Sequence, residues 1–114
     1  MRTLVTSVSL ILVASASFAK PLNTSYQGKA SWYSTSGKRT ASGLRHTYGV
    51  AHRSLPFGTQ LRVTNVANGR QITAVVDDRG PFVRHRVIDV NKATATALGF
   101  VNKGTQVVRY QVIK

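Results

Sequence analysis

The sequence has no cysteine and no glutamate, and its single methionine is the first residue. Without cysteine there is no disulfide framework, no thiol nucleophile, no thiolate-held zinc and no lipid-bearing N-terminal cysteine. Acids are scarce. Three aspartates stand against 16 lysines and arginines, for a formal net charge of +13. No H-E-x-x-H or other close pair of ligands is present, so no metal site is expected. A G-x-S-x-G serine setting and a glycine-rich phosphate loop are also missing, and no cofactor is expected. There is no internal repeat and no low-complexity stretch. What remains is enough for one packed domain. The chain is 114 residues long and 42% hydrophobic, which excludes a disordered basic tail.

Residues Met1–Ala19 carry an early charge at Arg2, an apolar run from Leu4 to Ala14 and small residues at Ser17 and Ala19. This is the pattern of a secretory signal peptide. The run is shorter than the ~20 residues of a membrane-spanning helix. The expected organisation is therefore a signal peptide over 1–19, a leader over 20–27 and a folded domain over 28–114. The exported chain would keep a charge of +12, having lost only Arg2. Export makes anionic envelope surfaces and wall polymers the natural partners of that charge, in the periplasm or outside the cell. No nucleic-acid motif accompanies it.

The remainder reads as short strands. Gly28–Ser34, Leu61–Val66, Arg70–Val76, Phe82–Val90 and Thr105–Ile113 are rich in β-formers. Asn68-Gly69 predicts a hairpin with a type I′ turn. Thr35–Tyr48 reads as a loop. Lys92–Leu98 is predicted as one short helix, capped by Asp89 or Asn91 and stopped by Gly99. Five or six strands and one helix suggest a small β-barrel.

Asp77, Asp78 and Asp89 lie within one short stretch. If a strand continues through Asp77 and Asp78, alternation points them to opposite faces. Asp78 opens Asp78-Arg79-Gly80-Pro81, where a turn can present it to a cleft or use it to hold the turn. Asp89, among apolar neighbours, suits a cap or an arginine partner. His52 precedes a Pro/Gly turn and can bond a carboxylate or a sugar hydroxyl, or serve structurally. His46 and His85 read as exposed loop residues. Trp32 and Tyr33 are consecutive, so one faces inward and the other can offer its ring to a sugar.

Several segments together resemble the rare lipoprotein A family of bacterial cell-wall proteins. They are Gly28-Lys29-Ala30-Ser31-Trp32-Tyr33, Thr40-Ala41-Ser42-Gly43, Ala51 through Thr59, Val63-Thr64-Asn65, Asn68-Gly69-Arg70, Asp78 through Phe82 and Val87-Ile88-Asp89. The resemblance implies a mainly β fold, a six-stranded double-psi β-barrel with one short helix. It also implies a lytic transglycosylase acting on peptidoglycan glycan strands, and the chain is expected to be a monomer. That reaction cuts between N-acetylmuramic acid and N-acetylglucosamine and leaves a 1,6-anhydro end. Asp78 takes the acid/base position and His52 the active-site histidine position. Trp32, Tyr33 and Arg79 become the candidates for holding substrate. Leu44 and Thr47 stand where the family usually carries a Glu and an Asp. A second expectation is therefore a peptidoglycan-binding or expansin-like wall-loosening module without turnover.

Overall fold

The structure is a computed structural model and describes residues 24–34 and 40–114. The expected signal peptide and the first half of the expected leader, 20–23, lie outside those residues. Six strands are present: β1 (Ser25–Tyr33), β2 (Gly49–Ala51), β3 (Gln60–Asn65), β4 (Gln71–Asp78), β5 (Arg86–Asn91) and β6 (Thr105–Val112). They close into a barrel in the order β1-β5-β2-β4-β3-β6. The pairs β1/β5 and β2/β4 are parallel and the other four are antiparallel. Closure leaves no unpaired edge to template aggregation. Among the described residues one helix, α1 (Lys92–Leu98), joins β5 to β6.

Alternation builds the core. Leu61, Val63 and Asn65 of β3, Ala74 and Val76 of β4, and Val108, Tyr110 and Val112 of β6 turn inward. Val50, Ile88, Val90, Leu98 and Phe100 complete the interior. Each such aliphatic side chain stabilises the fold by ~1.5–3 kcal/mol through removal from water.

α1 has local reasons to start and stop. The Asn91 side chain accepts the Thr94 N–H at 2.9 Å, and Gly99 closes the helix at φ 82°, with its N–H on the Ala95 and Thr96 carbonyls. Asn91, not Asp89, is therefore the cap. A left-handed residue at this position favours glycine.

Three other expectations need correcting. β1 begins at Ser25, because Ser25–Gln27 pair with Gln111–Arg109 of β6. The β3–β4 hairpin turns through a longer loop than a type I′ pair: Asn65 N–H bonds the Arg70 carbonyl, and Gly69 alone in that loop has positive φ. The short strand β2 was not anticipated. It is only three residues long, and its pairing partners β4 and β5 lie far along the chain.

Candidate active site

The ends of β2 and β4, with the neighbouring parts of β1 and β5, gather the chemistry. Ala51 of β2 lies opposite Asp78 of β4 on one side and Asp89 of β5 on the other, and Asp89 in turn pairs with Ser31 of β1. One row across four strands thus runs Ser31, Asp89, Ala51, Asp78. The Ser31 hydroxyl donates to Asp89 Oδ1. Among the described residues Asp89 is a hydroxyl acceptor, not the helix cap, and it forms no ion pair with an arginine.

Asp77 and Asp78 do not split cleanly between two faces. The β2–β4 register shifts between Val50 and Ala51, so a bulge interrupts the alternation. Both carboxylates meet the segment 40–48. Asp78 Oδ1 accepts the Ala41 N–H and the Arg79 N–H, each at 2.9 Å. Among the described residues those are its side-chain hydrogen bonds, and both fall on one oxygen. Asp77 is buried, and its Oδ2 accepts the His46 backbone N–H and Nδ1–H, both at 3.1 Å. The Ser42 N–H adds a bond to the Asp77 carbonyl at 3.2 Å. Asn91 Nδ2 donates to the His46 and Thr47 carbonyls at 3.2 and 3.1 Å. His46 is therefore not a free loop residue. It ties down the loop that holds Asp78.

Tyr33 lies among the acids. Burial, and then the charges of Asp77, Asp78 and Asp89, hold its phenol far above the ordinary tyrosine value. Its hydroxyl and Asp77 Oδ1 are buried without hydrogen-bond partners among the described residues. Two such orphans are costly, at ~1–3 kcal/mol each, unless a water or ligand satisfies them. Trp32 takes the inward place. It packs against the core, and its Nε1–H donates to the Val101 carbonyl at 3.1 Å.

His52 follows β2, and its backbone N–H bonds the Asp78 carbonyl at 3.2 Å. Its Nδ1 accepts the backbone N–H groups of Ser54 and Leu55, both at 3.0 Å. The neutral ring must then carry its proton on Nε2, which donates to Tyr110 Oη at 2.9 Å. Burial and the nearby Arg79 and Arg53 cations hold the imidazole pKa below its ordinary value. His52 is therefore a neutral group at neutral pH.

Arg79 turns toward the loop after β2. Its Nη1 donates to the Leu55 carbonyl at 2.8 Å and the His52 carbonyl at 3.3 Å, and its guanidinium lies 3.9 Å over the Phe57 ring. It braces that loop rather than reaching outward. Two apolar side chains stand exposed on the neighbouring loops: Leu44 is 65% exposed, and Phe82 is 85% exposed near Gly80. Thr47 is exposed, so neither Leu44 nor Thr47 supplies an acid where the family usually has one. Among the described residues no three metal-binding side chains cluster.

Sequence reasoning missed Tyr26 and Tyr110. They pair across β1 and β6, stack with ring centroids 5.2 Å apart, and with His52 line a cleft. The signal was the register of two distant strands, which no local pattern reports. His85 is exposed with φ 68°, as a loop residue.

The chain matches a family model described as lytic transglycolase over residues 25–110. It is 44% identical over 102 residues to a probable endolytic peptidoglycan transglycosylase RlpA of Nostoc sp., covering 83% of this chain and 28% of that protein. It is 49% identical over 83 residues to the corresponding protein of Aquifex aeolicus, covering 68% and 37%. The chain thus spans about a third of the length of these relatives. Among solved structures, the Streptomyces papain inhibitor superposes with a TM-score of 0.69 at 21% identity, covering 84% of this chain and all of that one. That likeness concerns the fold alone. Sequence match and barrel topology agree: the chain belongs to the lytic transglycolase family of RlpA-like double-psi β-barrels.

Proposed function

We propose that this barrel is an endolytic lytic transglycosylase domain acting on peptidoglycan glycan strands. One observation carries the reading. Asp78 is a half-buried carboxyl at a strand end, with both side-chain hydrogen bonds on Oδ1, so Oδ2 is the oxygen that can exchange a proton with substrate.

The chemistry needs one such group. Asp78 donates its proton to the glycosidic oxygen between N-acetylmuramic acid and N-acetylglucosamine. The bond from C1 to that oxygen breaks, and its electron pair leaves with the oxygen as a new hydroxyl. The Asp78 carboxylate then takes the proton of the sugar's own 6-hydroxyl, whose oxygen bonds C1. The product ends in a 1,6-anhydro ring, Asp78 is protonated again, and no water is consumed. His52 holds the end of β4 through its N–H and stays neutral, so it adds no cation beside the positive charge that develops at C1. Arg79 acts by bracing the His52 loop. Tyr33, close to the three acids, is the aromatic candidate for meeting the reacting sugar, whereas Trp32 packs against the core.

The transglycosylase activity for which the relatives are named supports the reading, and the basic composition suits an anionic envelope polymer met after export. The domain acts as a monomer. Digestion of purified glycan strands in 18O-labelled water tests the reaction class. Transglycosylation gives anhydro ends free of label. Labelled reducing ends mean hydrolysis, and they require Asp89 as the second carboxylate.

A further inference from the structure

A cleft of about 330 Å³ opens beside His52 and is lined by Tyr26, His52, Ser54, Leu55 and Tyr110. It lies at the lower bound of small-ligand sites, ~300–1,000 Å³, so it suits one ring rather than a long oligomer. Its lining joins flat apolar faces to a few polar atoms. Tyr26 and Tyr110 are stacked at an interplanar angle of 26°, and Tyr26 remains 39% exposed. The His52 ring meets Tyr110 edge-on, with centroids 5.7 Å apart.

The hydrogen bonds fix what the cleft can offer. Backbone donors occupy His52 Nδ1, so Nε2–H is spent on Tyr110 Oη. Tyr110 Oη is an acceptor in that bond, and its own O–H is left to donate. Burial pushes this phenol up to about 12, so it keeps that proton at any physiological pH. Ser54, an exposed residue, also lines the cleft. No carboxylate lines the cleft. An exposed aromatic face, a phenol donor and a serine hydroxyl suit a neutral polyhydroxylated ring, and no carboxylate is there to form an ion pair with a cation.

We propose that Tyr26, Tyr110 and Ser54 form a sugar subsite that seats one N-acetylhexosamine unit of the glycan, separate from the Asp78 face and joined to it through His52. The choice of sugar rests on the proposed transglycosylase reading. The subsite itself rests on the cleft. Tyr26 is a binding residue, outside the proton-transfer machinery.

Calorimetric titration of N-acetylglucosamine tetrasaccharide into the Asp78→Asn chain tests this without turnover. Measurements at low and at 0.5 M salt remove charge-driven binding, which the short Debye length screens. Tyr26→Ala is expected to weaken binding about tenfold, the effect of losing one aromatic contact. Tyr26→Phe, which keeps the ring, should stay close to the parent. Amide shifts on the same titration need no change at Tyr26 and should centre on Tyr26, Ser54 and Leu55. Unchanged affinity in Tyr26→Ala, or shifts confined to Leu44, Asp78 and Phe82, would overturn the subsite. The subsite survives if tetrasaccharide binds there but no anhydro product forms, and in that case the proposed reaction falls alone.

Discussion

The two sides of the barrel are built by different rules. On the β3, β4 and β6 side, alternation is regular, the inward residues are aliphatic, and Leu61, Val63, Val108 and Val112 are fully buried. On the side where β2 meets β4 and β5, the register shifts, three carboxylates crowd one tyrosine, and two buried polar atoms lack partners. The first side supplies stability. The second spends part of it to hold acids where water alone would not place them. A barrel this small can afford the second because the first is uninterrupted.

Substitutions can break that contrast. On the regular side, Leu61→Ala should cost the most, ~2–5 kcal/mol, because a fully buried leucine leaves a cavity. Urea denaturation reads it, and activity per folded molecule should be unaltered. On the acid side, Gly49→Ala should cost ~1–3 kcal/mol, since its new Cβ would stand 2.7 Å from Asp77 Oδ2. Here activity should fall further than stability, as Asp77 and His46 anchor the loop that holds Asp78. Equal losses in both would remove the distinction.

A pH titration sharpens it. His52 has a lowered pKa in the fold, so the unfolded chain binds its proton first as pH falls. The stability tied to its neutral form is complete above the ordinary histidine value of ~6.5 and is lost as pH drops through the lowered one. Melting temperature should therefore decline below that value, and the decline should be shallower in His52→Gln. Tyr110 behaves in the opposite sense. Its pKa is raised to about 12, so its contribution holds below the ordinary ~10 and fades as pH climbs above it. The smallest effect belongs to Tyr33→Phe. Removing an orphaned hydroxyl should stabilise the fold by ~1 kcal/mol, the low end of the cost of such a group. Thermal melting measures it. A clear destabilisation would mean that the hydroxyl has a firm partner.

What was legible from the sequence follows the same division. The helix was placed at Lys92–Leu98 because Asn91 and Gly99 are local signals that need no tertiary partner. The β3–β4 hairpin was found through Asn68-Gly69, and its strands through alternation. Ordering of the strands was not legible, because β2 owes its existence to neighbours distant along the chain. At the site, Asp78 and His52 stood out by their turns and by the family resemblance. The Asp77–His46 tie was hidden by the bulge, which strict alternation does not foresee. Tyr26 was read as part of a leader, since nothing near it in the chain announces Tyr110 as its partner.

The central claim is that Asp78 carries the proton for glycan cleavage. Mass spectrometry of peptidoglycan incubated with the chain, with Asp78→Asn alongside, tests it most directly. Anhydro-ended fragments from the parent, reduced by ~10²-fold or more in the variant, are the predicted result. Equal anhydro product from a folded Asp78→Asn chain would contradict the account.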